Sequence, residues 1–289
     1  MDNIVQAPQE HIRSSHISIV NGSNSDDILN GTAKDDEILG YAGNDTIFGY
    51  LGDDTIIGGQ GDDSLHGGLG NDILRGGFGE DLFYGNEGND SFYATYGSDS
   101  IDGHSGLDSV IYDHAMSQHS LVNISASHWM LNEFDYTSTD YLQDVERLQF
   151  TDKAVALDIN TGEVGGSCYR IYKAAFNRQP DHTGLGYWID KMDLGMPLSE
   201  VSSRFIDSNE FKALYGDSPS NEVFLANVYS NILGRAPDEG GYKWWLDELQ
   251  NNASKTWTKV LTDFSESAEN QEITLALIGN GIEYDLWIV

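Results

Sequence analysis

The sequence predicts a parallel β-solenoid in the N-terminal half and an all-α domain in the C-terminal half. Three observations carry that expectation: an unbroken nine-residue repeat from Gly22 to Ile111, a change to helical periodicity from about Cys168, and a second internal repeat inside the helical part. In chain order the expected units are a tail over 1–21, the repeat over 22–111, a strand-rich cap over 112–166, a duplicated helical domain over 167–278 and a terminal tail over 279–289.

A chain of 289 residues has room for one large or two modest domains. Its 15 Lys and Arg stand against 47 Asp and Glu, a formal charge of −32, which repels polyphosphate and excludes a nucleic-acid binder. A hydrophobic share of 39% with 11% aromatics argues against a disordered acidic tail, because there is enough apolar material to fold. The excess charge therefore needs solvent or a cation. The one cysteine, Cys168, rules out an internal disulfide and a thiolate zinc cluster. No segment approaches the ~18 apolar residues of a membrane span, and residues 1–10 lack an apolar stretch of signal-peptide length. Taken alone, these features point to the cytoplasm.

The repeat divides every nine residues at Gly22, Gly31, Gly40, Gly49, Gly58, Gly67, Gly76, Gly85, Ala94 and Gly103. Its sixth position is always aspartate: Asp27, Asp36, Asp45, Asp54, Asp63, Asp72, Asp81, Asp90, Asp99 and Asp108. Its eighth is always apolar, from Leu29 to Val110, and its fourth is glycine at Gly43, Gly52, Gly61, Gly70, Gly79, Gly88, Gly97 and Gly106. Twenty of the 32 glycines lie in this stretch, which places the compositional anomaly in the repeat. Glycines at the first, sometimes second, and fourth positions are expected to supply positive φ in tight turns. The apolar residue points inward from a short strand. If two units complete one coil, ten units make five coils, and each aspartate lies one strand spacing from the aspartate two units away. Stacked carboxylates repel, and a core of one apolar side chain per unit is thin. A hard divalent cation answers both problems, and calcium, with six to eight oxygen ligands in flexible geometry, fits better than magnesium.

The consensus, G-G-x-G-x-D-x-U-x with U apolar, resembles the RTX (repeat-in-toxin) calcium-binding nonapeptide family. The resemblance implies a right-handed β-roll with calcium between the turns of units n and n+2. The pairs would be Asp45 with Asp63, Asp63 with Asp81 and Asp81 with Asp99 on one edge, and Asp54 with Asp72, Asp72 with Asp90 and Asp90 with Asp108 on the other. That makes six ions, with turn carbonyls from the fourth-position glycines completing each site. Asp27 with Asp45 and Asp36 with Asp54 raise the ceiling to eight. Ser25 and Lys34 stand where those first two units should have their fourth glycine, and Ala94 and Leu107 weaken the far end.

Between the repeat and the helices, 120–125, 145–150 and 154–159 read as strands that continue and cap the roll, since an open sheet edge invites pairing with other chains. His114, His119 and His128 follow no pattern there and read as surface residues.

From Cys168 the pattern is helical, and a repeat at an offset of 57 residues matches Arg178-Gln179-Pro180-Asp181 with Arg235-Ala236-Pro237-Asp238, and Tyr187-Trp188 with Trp244-Trp245. After a two-residue shift, Phe205, Ser208 and Glu210 match Phe264, Ser267 and Glu269. Pro180 and Pro237 should end helices, Asp181 and Asp238 should cap the next, and Ser208 and Ser267 read as further N-caps. The pattern resembles an uncharacterised helical domain that often follows RTX repeats in bacterial surface and secreted proteins. The tryptophans are read as packing core, with a sugar-stacking platform as the competing role.

The last residues, 283–289, place acids ahead of Leu286-Trp287-Ile288-Val289 and resemble the C-terminal signal of bacterial type I secretion substrates; a docked final strand or helix is the plainer alternative. With the repeat, this shifts the expected location to the outside of a bacterial cell, where calcium would drive folding. No H-E-x-x-H motif occurs, and Gly103-His104-Ser105-Gly106 lacks the last glycine of a nucleophile elbow, so no catalytic residue is assigned. The expected role is a non-enzymatic, calcium-dependent adhesion or interaction module at a cell surface or matrix. Its expected partners are calcium, the type I secretion machinery and a surface glycan or protein. The alternative is a carbohydrate-binding or enzymatic role in the helical half.

Overall fold

The computed structural model describes residues 17–94, 96–133 and 138–286. The strands of the N-terminal half are β1 (Ser18–Asn21), β2 (Ile28–Asn30), β3 (Asp36–Ala42), β4 (Thr46–Leu51), β5 (Thr55–Gln60), β6 (Ser64–Leu69), β7 (Ile73–Phe78), β8 (Leu82–Glu87), β9 (Ser91–Tyr93), β10 (Ser100–Ser105) and β11 (Ser109–Ile111). Odd and even strands separate into two sheets, and every pairing among them is parallel with a step of 18 residues: Ile56 of β5 lies between Ile38 of β3 and Leu74 of β7. Two nonapeptides therefore make one coil, and the solenoid has about five turns. The eighth-position side chains from Ile38 to Val110 stack into one fully buried column between the sheets, while Leu29 of the first unit is partly buried against it.

The strands cross the unit boundary. β5 joins the last three residues of one unit to the first three of the next, so the first-position glycine lies within a strand and not in a turn. Among the described residues no first-position glycine has positive φ. A Cβ on Gly40 would lie 2.6 Å from the Gly58 carbonyl oxygen and would also strike the Asp45 carboxylate. Close approach, not backbone freedom, is therefore what the first-position glycines provide, and the ninth unit, which has Ala94 there, is the one whose preceding strand β9 stops at Tyr93. The fourth position does need positive φ, +119° at Gly61. The second position shares that conformation even where it is Tyr41, Tyr50, Asn86 or His104.

The solenoid closes by changing pairing direction. β12 (His119–Ser125), β13 (His128–Glu133) and β14 (Thr139–Gln143) extend the even sheet, and β15 (Arg147–Gln149), β16 (Ala154–Ala156) and β17 (Ile282–Tyr284) extend the odd one. β14 and β15 are still parallel to the roll, and the strands beyond them are antiparallel. Within the stretches expected to be tails, Ser18–Asn21 pairs with β3 and Ile282–Tyr284 pairs with β16, while residues 1–16 lie outside the described residues. Residues 287–289 lie outside the described residues. His119 is no surface residue: it is buried, its ring tilted against those of Tyr112 and Phe150 at 5.4 and 5.2 Å, with Nδ1 3.1 Å from the Ala115 carbonyl. A covering hairpin buries one face of its strands, and His119 falls on that face.

The helices are α1 (Val164–Phe176), α2 (His182–Asp193), α3 (Leu198–Asp207), α4 (Asn209–Tyr215), α5 (Asn221–Leu233), α6 (Glu239–Asn251), α7 (Trp257–Ser265) and α8 (Ala268–Ile278). The first four and last four are the two copies read from the sequence. Asp181 accepts from the Gly184 N–H and Asp238 from the Gly241 N–H, each at 2.7 Å. Ser208 and Ser267 cap α4 and α8, and the ion pairs Arg178–Glu210 and Arg235–Glu269 recur in equivalent places. Trp188 and Trp245 are partly buried against the helical core, whereas Trp244 is half exposed. A continuous apolar core runs from the roll through Trp129, Leu148 and Val155 to Cys168, Tyr169, Leu185 and Ile189 of the first two helices. No helix among the described residues is long and apolar enough to cross a membrane.

Candidate metal centre

The sixth-position aspartates stand where each turn gives way to a strand, so the parallel 18-residue register lines them up in two ladders, one along each edge of the roll. All eight expected pairs are brought together in the same way. The backbone N–H of each aspartate donates to Oδ1 of the aspartate two units on, at 2.8 Å for Asp27 to Asp45, Asp36 to Asp54, Asp45 to Asp63, Asp54 to Asp72, Asp72 to Asp90 and Asp90 to Asp108. The distance is 2.9 Å for Asp63 to Asp81 and Asp81 to Asp99. From Asp36 to Asp108 these side chains belong to buried residues.

That geometry uses one oxygen of each carboxylate. The other, Oδ2, is buried without a hydrogen-bond partner in Asp45, Asp54, Asp63, Asp72, Asp81, Asp90 and Asp108. It faces oxygen instead, since around Gly40 the Asp45 Oδ2 and the Gly58 carbonyl converge on the space a Cβ would fill. The first two units differ. Oδ2 of Asp27 accepts from the Ser23 N–H and hydroxyl, and Oδ2 of Asp36 accepts from the Thr32 N–H and hydroxyl, leaving Asp36 Oδ1 as its unpaired atom.

Burial dominates the electrostatics. It pushes the carboxyls of Asp54, Asp81 and Asp90 up to about 6, Asp63 and Asp72 up to about 7, and Asp99 and Asp108 up to about 8, against the opposing effect of the ladder N–H donors. Neighbouring carboxylates raise several further, as Asp81 and Asp45 do for Asp63. A column of buried acids with unpaired oxygens is an unfavourable arrangement unless protons or cations occupy it. Among the described residues no three His, Cys, Asp or Glu side chains converge as a metal cluster. A cation here would take two carboxylates from stacked turns and complete its shell with carbonyls. The fourth-position carbonyls are suitably stacked: that of Gly43 faces Gly61, Gly52 faces Gly70, Gly61 faces Gly79, Gly70 faces Gly88, Gly79 faces Gly97 and Gly88 faces Gly106. An oxygen-only donor set of this kind suits calcium.

Two features escaped the sequence reading. The fifth-position side chains form a second, exposed ladder in which Asn44 accepts from the Asp62 N–H, Asp53 from Asn71, Asp62 from Glu80 and Asn89 from Leu107. The run of Asn and Asp at that position is its signal; it too runs in two rows, 44-62-80 on one edge and 53-71-89-107 on the other, and Leu107, with no acceptor side chain, ends the second. The aspartate ladders also continue past the repeat: the Asp99 N–H donates to Asp140 Oδ1 at 3.0 Å and the Asp108 N–H to Glu146 Oε2 at 2.8 Å. Both acceptors lie outside the nine-residue register, so no spacing pointed to them.

Residues 21–56, 48–83 and 84–113 match the family described as RTX calcium-binding nonapeptide repeat (4 copies), and residues 202–274 match a domain of unknown function, DUF4214. No curated protein sequence matches the chain. Among solved structures, the chain is similar to the AlgE6R3 subunit of the Azotobacter vinelandii mannuronan C5-epimerase, at 27% identity over 45% of this chain and 76% of that one. The TM-score of 0.24 is too low to carry a structural argument. The N-terminal half of this chain is thus a parallel β-solenoid of RTX calcium-binding repeats, and its all-α C-terminal half carries a DUF4214 domain.

Proposed function

We propose that this protein is a secreted, calcium-dependent interaction module whose roll folds on calcium outside a bacterial cell and which serves at a cell surface or in the surrounding matrix. The observation that carries the reading is the column of buried Oδ2 atoms without donors. Six of the seven belong to the first-named members of the six central pairs, Asp45–Asp63, Asp63–Asp81, Asp81–Asp99, Asp54–Asp72, Asp72–Asp90 and Asp90–Asp108. Those pairs would hold six ions. Asp27 and Asp36 have protein donors on Oδ2, which favours six over the ceiling of eight within the repeat.

Binding and folding are coupled, because the ladder exists only when the turns are stacked. At the low calcium of a bacterial cytoplasm the acidic turns repel, and the chain stays competent for type I export. Outside, each bound ion adds to the stability of the coil. Proteins with RTX repeats are typically secreted, which supports this order of events. Ile282–Tyr284 is built into the folded sheet, so a secretion machinery would read the 279–289 segment from the unfolded chain.

Along the outer face of the even sheet runs an open groove of about 750 Å³, lined by Phe48, Tyr50, His66, Asn86, Glu87 and His104 among others. It is a surface on which a glycan or protein partner would lie. The RTX repeats point to a structural or binding protein, and Trp188 and Trp245, the residues that a sugar-binding helical half would use, are engaged in packing. The test is a calcium titration followed by far-ultraviolet circular dichroism. A large gain of β-signal, reversed by chelator, is expected; a spectrum indifferent to both would overturn the reading.

A further inference from the structure

The two aspartate ladders end differently. Parallel pairing of β10 with β14 and of β11 with β15 carries Asp140 to Asp99 on one edge and Glu146 to Asp108 on the other. On the first edge Asp140 is fully used by protein donors, with the Asp99 N–H on Oδ1 and the Tyr112 hydroxyl on Oδ2 at 2.9 Å. On the second edge Asp108, wholly inaccessible to solvent, keeps its Oδ2 unpaired.

The surroundings of that oxygen repeat those of a regular rung. Within the repeat, the space beside Gly85 is bounded by Asp90 Oδ2 and by the carbonyl of Gly103, the first residue two units on. Beside Gly103, the same space is bounded by Asp108 Oδ2 and by the carbonyl of Asp144, which occupies the next strand position in β14's continuation. Glu146 then stands where the next aspartate would. The cap thus rebuilds the carboxylate, the facing carboxylate and the carbonyl of a rung without a nonapeptide.

We propose that a seventh calcium ion binds between Asp108 and Glu146, with the Asp144 carbonyl among its ligands, and that this ion ties calcium loading to docking of the helical domain. The tie is the next residue. The Arg147 N–H donates to the Asp108 carbonyl at 3.0 Å, and its guanidinium donates to the Glu146 carbonyl, to Asp158 and to Asp193 at the end of α2. An ion that fixes the Glu146 carboxylate also fixes the backbone from which Arg147 reaches the helices.

The inference rests on the calcium reading above, and the experiment separates the two. Calcium bound per full-length chain is counted after equilibrium dialysis, and amide exchange is followed across 182–193 with and without calcium. Wild type is expected to hold seven ions, Glu146→Gln six, and Asp140→Asn seven. Calcium-dependent slowing of exchange in α2 is expected to be lost in Glu146→Gln. Equal counts in wild type and Glu146→Gln overturn the seventh site, and retained α2 protection overturns its tie to docking. A wild type that binds no calcium overturns the underlying reading instead. Should Glu146→Gln fail to fold, Glu146→Asp is titrated: weaker binding of one ion supports the site, and binding unchanged in number and affinity overturns it.

Discussion

Arg147 on β15 grips Asp193 on α2 in a two-pronged ion pair, Nη2 to Oδ1 at 2.6 Å and Nε to Oδ2 at 3.1 Å, while its Nη1 reaches Asp158 Oδ1 at 2.5 Å. The last parallel strand of the roll's odd sheet and the first helical repeat are thus joined by one buried guanidinium serving two carboxylates. Removing it strands both acids in a low-dielectric site. Arg147→Ala is therefore expected to cost about 3–5 kcal/mol in denaturant unfolding at saturating calcium. Arg147→Lys should recover only part of this, because an ammonium cannot fork onto Asp193 and reach Asp158 together. A loss below about 1 kcal/mol would show that the joint is not stabilising.

Asp63 serves two rungs, with Asp45 on one side and Asp81 on the other. Asp63→Asn should lower the number of bound calcium ions by up to two. Each ion lost removes about 2.7 kcal/mol at calcium a hundredfold above its Kd. Without calcium the sign reverses, since an amide in that buried position carries no charge to desolvate. Melting curves with and without calcium measure both. Destabilisation of equal size in both conditions would mean that the carboxylate is purely structural.

The pH dependence follows from the upward shifts. The buried carboxyls titrate at about 6 to 8 in the folded roll against ~3.9 when unfolded. A raised folded value means stability that is complete below about pH 4 and is lost as pH rises through 6 to 8. In buffer freed of calcium by resin, the roll should therefore melt higher at pH 5 than at pH 8. Calcium affinity should run the other way, rising across the same window as protons leave the ligands. Calcium-free melting that improves with pH would contradict the burial of these groups.

The duplicated caps give a matched pair of measurements. Asp181→Ala and Asp238→Ala each remove the acceptor for one orphan N–H at a helix start, and each is expected to cost about 1 kcal/mol. The two sites lie in separate copies, so the double variant should lose the sum to within about 0.5 kcal/mol. A shortfall well beyond that in thermal or denaturant unfolding would show that the copies unfold separately.

Much of this architecture was legible because its period is short. A residue type that recurs every nine positions at Asp45, Asp54 and Asp63 can be paired by arithmetic, and the structure brings every one of those pairs together. The 57-residue offset likewise located the caps at Asp181 and Asp238. What stayed hidden lacked a period. Asp140 and Glu146 reach the ladders from segments of irregular spacing, and Arg147 finds Asp193 across 46 residues. His119 looked like a surface residue because nothing local announces which face a capping hairpin will bury.

The sequence alone determined the coil, the aspartate column and the helical duplication, since each is a local pattern repeated until chance is excluded. Only the tertiary structure decided where the column stops. Termination depends on which side chains the cap delivers to the last turns: a hydroxyl from Tyr112 to the Asp140 carboxylate on one edge, and on the other a Glu146 carboxylate that takes the Asp108 N–H while the Asp108 Oδ2 stays unpaired. That choice is made by strand register between distant segments, which no spacing along the chain encodes.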